Sequence, residues 1–366
     1  MDIYKREDDL RLYDRVNIKV FIILPEGRSV FMAQKTYGID FGTSTIKVYK
    51  KGQGIILLER NVVSTVGKEN KPVAIGEKAY DMYEKAPPSI HVSFPLKHGV
   101  IAQMKDMIAL WNFMASKITG NKKMKSGEFY IAVPADITEV EKQAYSHVIE
   151  ESDYKPRRIH LIDKPIADAY GLGLDVQKSN GILIVNIGAD TTEISILSLG
   201  GIVVTKLLPY GGNYFDTQII SYIRKQYNYV IGKKTAEQIK KSLISVFPTE
   251  QKLEIVGRDV LKGLPGEIQI SSKEIHPGFS DTFDTIASSI RSMLEHTPPE
   301  ISHEIIKNGL YLTGASSWIN GIDKLIAEEL NINVNTTKEA QKTVILGIGY
   351  LMDNPKLAAG YAVKLE

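Results

Sequence analysis

The sequence predicts an α/β protein built as two similar lobes facing each other across a cleft. Two observations carry that reading. A strand, a turn of small residues and a second strand occur twice, in "YGIDFGTSTIKVYKKG" from Tyr37 and in "GILIVNIGADTTEISILS" from Gly181, about 145 residues apart. Each unit runs on into a third strand and then into helices, as a duplicated α/β unit does. The length, 366 residues, suits two such lobes better than one small core.

The elements come in order. "YGIDFG", "IKVYKKG" and "GIILLERNVVS" alternate as three strands of a meander. Gln103 to Ile118 places apolar residues at helical spacing. "EFYIAVP" is a strand ended by Pro134, and the helix after it is opened by Thr138 with Glu141 three residues on, a capping box. "RRIHLID" is a strand, and "PIADAYGLGL" a helix begun at Pro165. The pattern then restarts at Gly181, with the lobe boundary near residues 178–180.

Composition narrows the function. Hydrophobic content of 43% and charged content of 24% are those of a soluble globular chain. A formal charge of +2 gives no electrostatic case for nucleic acid. The absence of cysteine excludes disulfides and thiolate metal sites and fits a reducing cytoplasm. No apolar run approaches the ~20 residues of a membrane-spanning helix, and the first residues lack a signal-peptide core. Residues 1–36 differ in texture from the rest of the chain. One expectation is that translation begins at Met32, since the codons for "EGR" upstream can be purine-rich like a ribosome-binding sequence. The other is a genuine membrane- or partner-binding extension containing "VFIIL".

The two turns suggest chemistry. Backbone N–H groups reach phosphate oxygens only where side chains are small. "DFGTSTIK" and "NIGADTTE" could therefore grip a triphosphate from both sides. A carboxylate at the start of a turn suits a hydrated magnesium ion. Asp40 meets that expectation and the neutral Asn186 does not. Either turn alone is more often an ordinary hairpin; the pair is the signal.

With "VPADITEVEKQA", "LIDKPIADAYGLGL", "ISILSLGGIV", "TAEQIKKSL", "GLPGEIQISSKEI", "TPPEI" and "GLYLTGASSWINGIDKLIAEEL", the sequence resembles the actin, sugar-kinase and DnaK-chaperone ATPase superfamily. Within it the chain is most similar to the MreB branch, the bacterial actins that organise cell shape. The likeness runs from about Tyr37 to Leu351. It implies actin-like, duplicated ribonuclease-H-like lobes around a nucleotide cleft. Residues 37–179 with 341–366 would form one domain and 180–340 the other. It also implies ATP and Mg2+ as ligands. Asp40 would lie on the metal side, with Gly42, Thr43 and Ser44 in the first phosphate turn and Lys47 beside the phosphates. Gly188 and Thr191 match the second phosphate turn. Gly211 and Gly212 match the turn passing the ribose and phosphates, Glu237 and Lys240 the pair flanking adenine and ribose, and Gly314 with Ala315 the turn over the purine.

Three departures matter. The family's acidic residue before the helix proline, which helps position the attacking water, is replaced by Lys164, and a lysine cannot activate water near neutral pH. Asn186 stands where the family has an aspartate. Ala189, Asp190 and Ala315 fill positions that are usually glycine, and Asp190 could return a carboxylate to the second turn. The resemblance thus implies an ATP-binding, polymerising cytoskeletal protein with slow hydrolysis. Its partners would be its own copies in a filament of two protofilaments, the cell-wall synthesis machinery and peripherally the inner membrane. A non-hydrolysing scaffold co-assembling with another MreB is the competing reading, ahead of a DnaK-like chaperone fragment and of a sugar kinase, which needs an aspartate for its substrate hydroxyl.

Overall fold

The computed structural model describes residues 35–67, 71–120 and 127–363. The readings made of Met32 and "VFIIL" lie outside them. Two five-stranded sheets share one layout. In the first, the order is Pro156–Asp163, Gly127–Val133, Thr36–Phe41, Thr45–Lys50, Gly54–Arg60. In the second it is Val334–Thr336, Leu310–Thr313, Ile182–Ile187, Thr192–Ser198, Gly201–Leu208. In both, three meander strands are antiparallel and the other two join in parallel beside the first. The duplication read from the sequence is present in the backbone.

The local reasons are those of the sequence. "ILIVNI" is apolar almost throughout because this central strand is covered on both faces. Helix Glu139–Glu150 is opened by the full capping box, with Glu141 N–H donating to Thr138 Oγ1 and Thr138 N–H to Glu141 Oε2. Helix Lys164–Gly171 carries proline in its first turn, where a missing N–H costs nothing. One expectation changes. "GIILLERNVVS" is not one strand: Gly54–Arg60 ends the meander, and Val63–Val66 pairs instead with Lys71–Ile75 and Ile90–Ser93. Asn61 makes the break. Its N–H donates to Ser44 O and its side-chain amide to Gly42 O, both at 2.9 Å, so the chain turns back onto the first small-residue turn.

Each sheet has its own apolar core. A third core lies around helices Lys164–Gly171 and Thr343–Asp353. Those helices meet backbone to backbone: a Cβ at Gly347 would stand 1.6 Å from Ala167 O, and one at Gly171 1.8 Å from Thr343 O. The second helix also lies on the first sheet, where a Cβ at Gly38 would meet Ile348 Cγ2 at 2.5 Å. Interiors this tight do not absorb an added methyl. Gly347→Ala is therefore expected to cost about 3 kcal/mol in urea unfolding. Gly360→Ala, in helix Pro355–Tyr361 where nothing lies within 4 Å, is expected to be neutral or stabilising. Equal effects would contradict the close crossing.

Candidate functional site

The site is assembled from the ends of these strands. Gly42, Thr43 and Ser44 form the turn between Thr36–Phe41 and Thr45–Lys50. Gly42 is required there, because a Cβ would come within 2.6 Å of Thr45 O. The same Cβ would stand 3.7 Å from Lys47 Nζ, so the lysine ammonium lies against the turn. Asn61, which holds this turn through Gly42 O, gives no signal in the sequence beyond being the last of three polar residues, after Glu59 and Arg60, within an apolar run.

Asp40 is buried, 4% exposed, at the strand end before the turn. Lys47 Nζ donates to its Oδ2 at 2.9 Å, and Lys164 Nζ lies 3.6 Å from its Oδ1. Burial pushes the Asp40 carboxyl up, and the two ammonium groups more than reverse this, leaving it below the usual range. Asp40 and Lys47 face each other as register partners on adjacent strands, whereas Lys164 comes from the start of its helix. Asp163, next to Lys164, turns away to Lys142 at 3.2 Å.

The second turn is built like the first, closed by Gly188 N–H donating to Thr191 O at 2.8 Å. Gly188 O accepts from Gly212 N–H at 3.1 Å and from Ser316 Oγ at 2.8 Å, and Ala189 O accepts from Asn213 N–H. Three turns, at 188–191, 211–213 and 314–316, thus converge on one point. Gly314 sits at φ 83, and a Cβ there would strike Ile187 O at 2.3 Å. Gly211 is pressed against Asp190 N, which its Cβ would meet at 2.7 Å.

Asn186 has a use that sequence reasoning misses. Its side-chain amide donates to Asp168 Oδ2 at 2.7 Å, and Thr313 Oγ1 donates to the same oxygen at 2.6 Å. Asp168 is 1% exposed, and burial raises its pKa. An aspartate at 186 would set two buried carboxylates against each other, so a neutral donor there matches an acid at 168. Asp190 does not return a carboxylate to the neighbourhood of Asn186. Its oxygens accept from His98 N–H at 2.5 Å, across the mouth of the cleft, and from the Asn213 amide at 3.4 Å on its own side.

Thr43, Ser44, Gly212, Glu237, Lys240 and Ala315 line a single cavity of about 1480 Å³, large enough for a nucleotide. Gly211 and Gly314 support its wall, and Asp40, Lys47 and Lys164 lie outside the lining, Lys47 Nζ being the one set against the first turn. Lys240 Nζ donates to Gly212 O and forms an ion pair with Asp216, both at 2.8 Å. Glu237 accepts from Tyr80 Oη at 2.8 Å and pairs with Arg60 and Lys241, which together outweigh burial and leave its carboxyl at about 2. The Tyr80 and Arg60 contacts of Glu237, with Lys233 N–H to Glu84 and Leu207 N–H to Asp136, join the two sides of the cleft.

The residues do not fit the magnesium site expected at Asp40. Both its oxygens face ammonium groups, position 164 is basic, and Asn186 donates to Asp168. Among the described residues no three His, Cys, Asp or Glu side chains gather as metal ligands. A hard cation needs anionic oxygens, and like charges about 4 Å apart repel by roughly 4 kcal/mol even at an effective dielectric of 20.

Glu193 is the other buried acid of the cleft. Its Oε1 accepts from Ala135 N–H at 2.8 Å. Burial raises its carboxyl to about 7, with the Ala135 N–H and Lys164 pulling the other way. The ordinary value is 4.5, so between the two the folded chain holds a proton that the unfolded chain has lost. This contribution to stability is full below the lower value and disappears as the pH rises through the upper one. Glu193→Gln keeps the acceptor and removes the titration. The stability difference between wild type and variant should change by on the order of 3 kcal/mol between about pH 4 and pH 8. Parallel pH profiles in urea unfolding would contradict the assignment.

Comparison with known proteins agrees with this geometry. The fold is that of the actin-like filament proteins. The family signature described as MreB/Mbl protein matches residues 34–359, and the chain belongs to that family. It is 34% identical over 325 residues to the cell shape-determining protein Mbl of Bacillus subtilis, covering 88% of this chain and 97% of that one. The crystal structure of MreB5 of Spiroplasma citri bound to ADP superposes with a TM-score of 0.83 at 32% identity, covering 88% of this chain and 98% of that one. The same protein bound to AMPPNP gives 0.81 at 32% identity, covering 88% and 97%. A MamK double helical filament gives 0.72, covering 87% and 99%; at 20% identity this likeness concerns the fold alone.

Proposed function

We propose that the cleft binds ATP and that the protein polymerises head to tail into cytoskeletal filaments that contribute to cell shape by organising cell-wall synthesis. The observation that carries the reading is the convergence of the small-residue turns at 42–44, 188–191, 211–213 and 314–316 on one cavity, with Lys47 behind the first. Nucleotide-bound MreB5, at 32% identity over nearly its whole length, supports it. Residues 37–179 with 341–366 and residues 180–340 form the two domains of this reading. Filament growth needs only one heterologous contact that does not close into a ring. The cell-wall synthesis machinery and a peripheral contact with the inner membrane are its other partners. No helix among the described residues is long and apolar enough to cross a membrane.

Hydrolysis is slow in this reading. Lys164 stands where a carboxylate would orient water, and loss of such a group costs about 10²-fold or more. The same observation favours one second reading, a non-hydrolysing scaffold that co-assembles with another member of the family. Sedimentation of the full chain with ATP, ADP or no nucleotide, alone and with a conventional family member, separates them. ATP-dependent pelleting alone is the expected result. Pelleting only with the partner supports the scaffold, and no pelleting under any condition contradicts both.

A further inference from the structure

We infer that this protein binds its nucleotide without a divalent cation, with the Lys47 and Lys164 ammonium groups bringing to the phosphates the positive charge a metal ion would supply. The inference rests on the nucleotide reading above and deepens it.

The two lysines arrive from different elements, one on the strand after the first turn and one at the start of the helix that comes after Pro156–Asp163. Both converge on the single buried carboxylate of Asp40, at 2.9 and 3.6 Å. Their side chains are 7% and 17% exposed, so neither is a loose surface lysine. Lys47, buried, and Lys164, half-buried, share the Asp40 carboxylate, so the ammonium groups outnumber the one acid both of them contact, and a charge left uncompensated away from water is costly. An anion removes that cost, whereas a dication adds to it. Lys47 Nζ is placed to meet the anion, since it lies against Gly42 in the turn that offers backbone N–H groups.

The surroundings point the same way. Asp40 Oδ2 accepts from Lys47 and its Oδ1, without a hydrogen-bond partner, lies 3.6 Å from the Lys164 ammonium, so a dication drawn to either oxygen would sit against a cation. Asn186 donates its amide to Asp168. Glu193 accepts from Ala135 N–H, and Asp190 is engaged with His98 and Asn213. Every acid of the cleft floor and second turn thus has a protein donor or cation. Lysine is suited to the task, being a compact point charge with three donors.

Calorimetric titration of ATP into the full chain, in EDTA and in excess magnesium chloride, tests the inference. Dissociation constants within about three-fold of each other are expected. Binding that weakens by about thirty-fold or more in EDTA overturns the inference and leaves the nucleotide reading standing. No binding in either buffer overturns both. Lys164→Glu should convert the site, so that magnesium now tightens ATP binding by about ten-fold or more; a variant still indifferent to magnesium overturns the role of Lys164. A second readout uses the wild-type protein alone. By linkage, Mn2+ followed by electron paramagnetic resonance should bind the protein–ATP complex no more tightly than it binds free ATP. An affinity about ten-fold tighter or more contradicts the inference.

Discussion

The contact between Gly171 and Gly347 fixes the geometry of the cleft. It brings the backbones of helices Lys164–Gly171 and Thr343–Asp353 so close that neither position admits a Cβ. The second helix lies in turn on the sheet that carries Asp40, through the contact of Gly38 with Ile348. The start of the first helix, and with it Lys164, is therefore held at a set distance from Asp40. Asp168, one turn further along the same helix, reaches the second sheet through Asn186 and Thr313. One helix crossing thus positions charged groups on both sides of the cleft.

The charges form a consistent set. A lysine at 164 needs an acid within reach, and Asp40 is there; Asp168 needs donors, and Asn186 and Thr313 provide them. Taken singly, Lys164 and Asn186 read as losses from a catalytic site. Taken together with Asp168 and Lys47, they describe two ammonium groups set on one carboxylate and a neutral amide set on another. Two ammonium groups set on one carboxylate favour retention of a polyanion. The bonds across the mouth, from Glu193, Asp190, Glu237, Glu84 and Asp136, join both sides of the cleft in the same arrangement.

Local features are legible in the sequence because they are set by neighbouring residues. The capping box at Thr138 and Glu141, the proline-started helix and the twin strand–turn–strand units each need only a few consecutive positions. The small-residue turns are legible for the same reason. What escapes are partnerships between distant residues. Asn61 ends a strand by bonding Gly42 and Ser44, which periodicity cannot show, and the predicted strand runs through it. Asp168 looks like a polar residue in a short helix until the fold sets it beside Asn186. Asp190 reads as a local replacement for a lost charge, yet its partner His98 belongs to a turn 92 residues away. Asp40 reads as a metal-side acid because it precedes a phosphate turn; the two lysines that claim it come from different elements.

A cleft with Lys47 and Lys164 set on Asp40 is expected to hold ATP far better than it cleaves it. The most direct measurement is the identity of the nucleotide that remains bound. The purified chain, loaded with ATP, freed of excess and incubated overnight at growth temperature, is denatured and its nucleotide separated by chromatography. ATP recovered essentially intact is the expected result. Recovery of ADP, with release of phosphate at the rate of an ordinary bacterial actin, would contradict it.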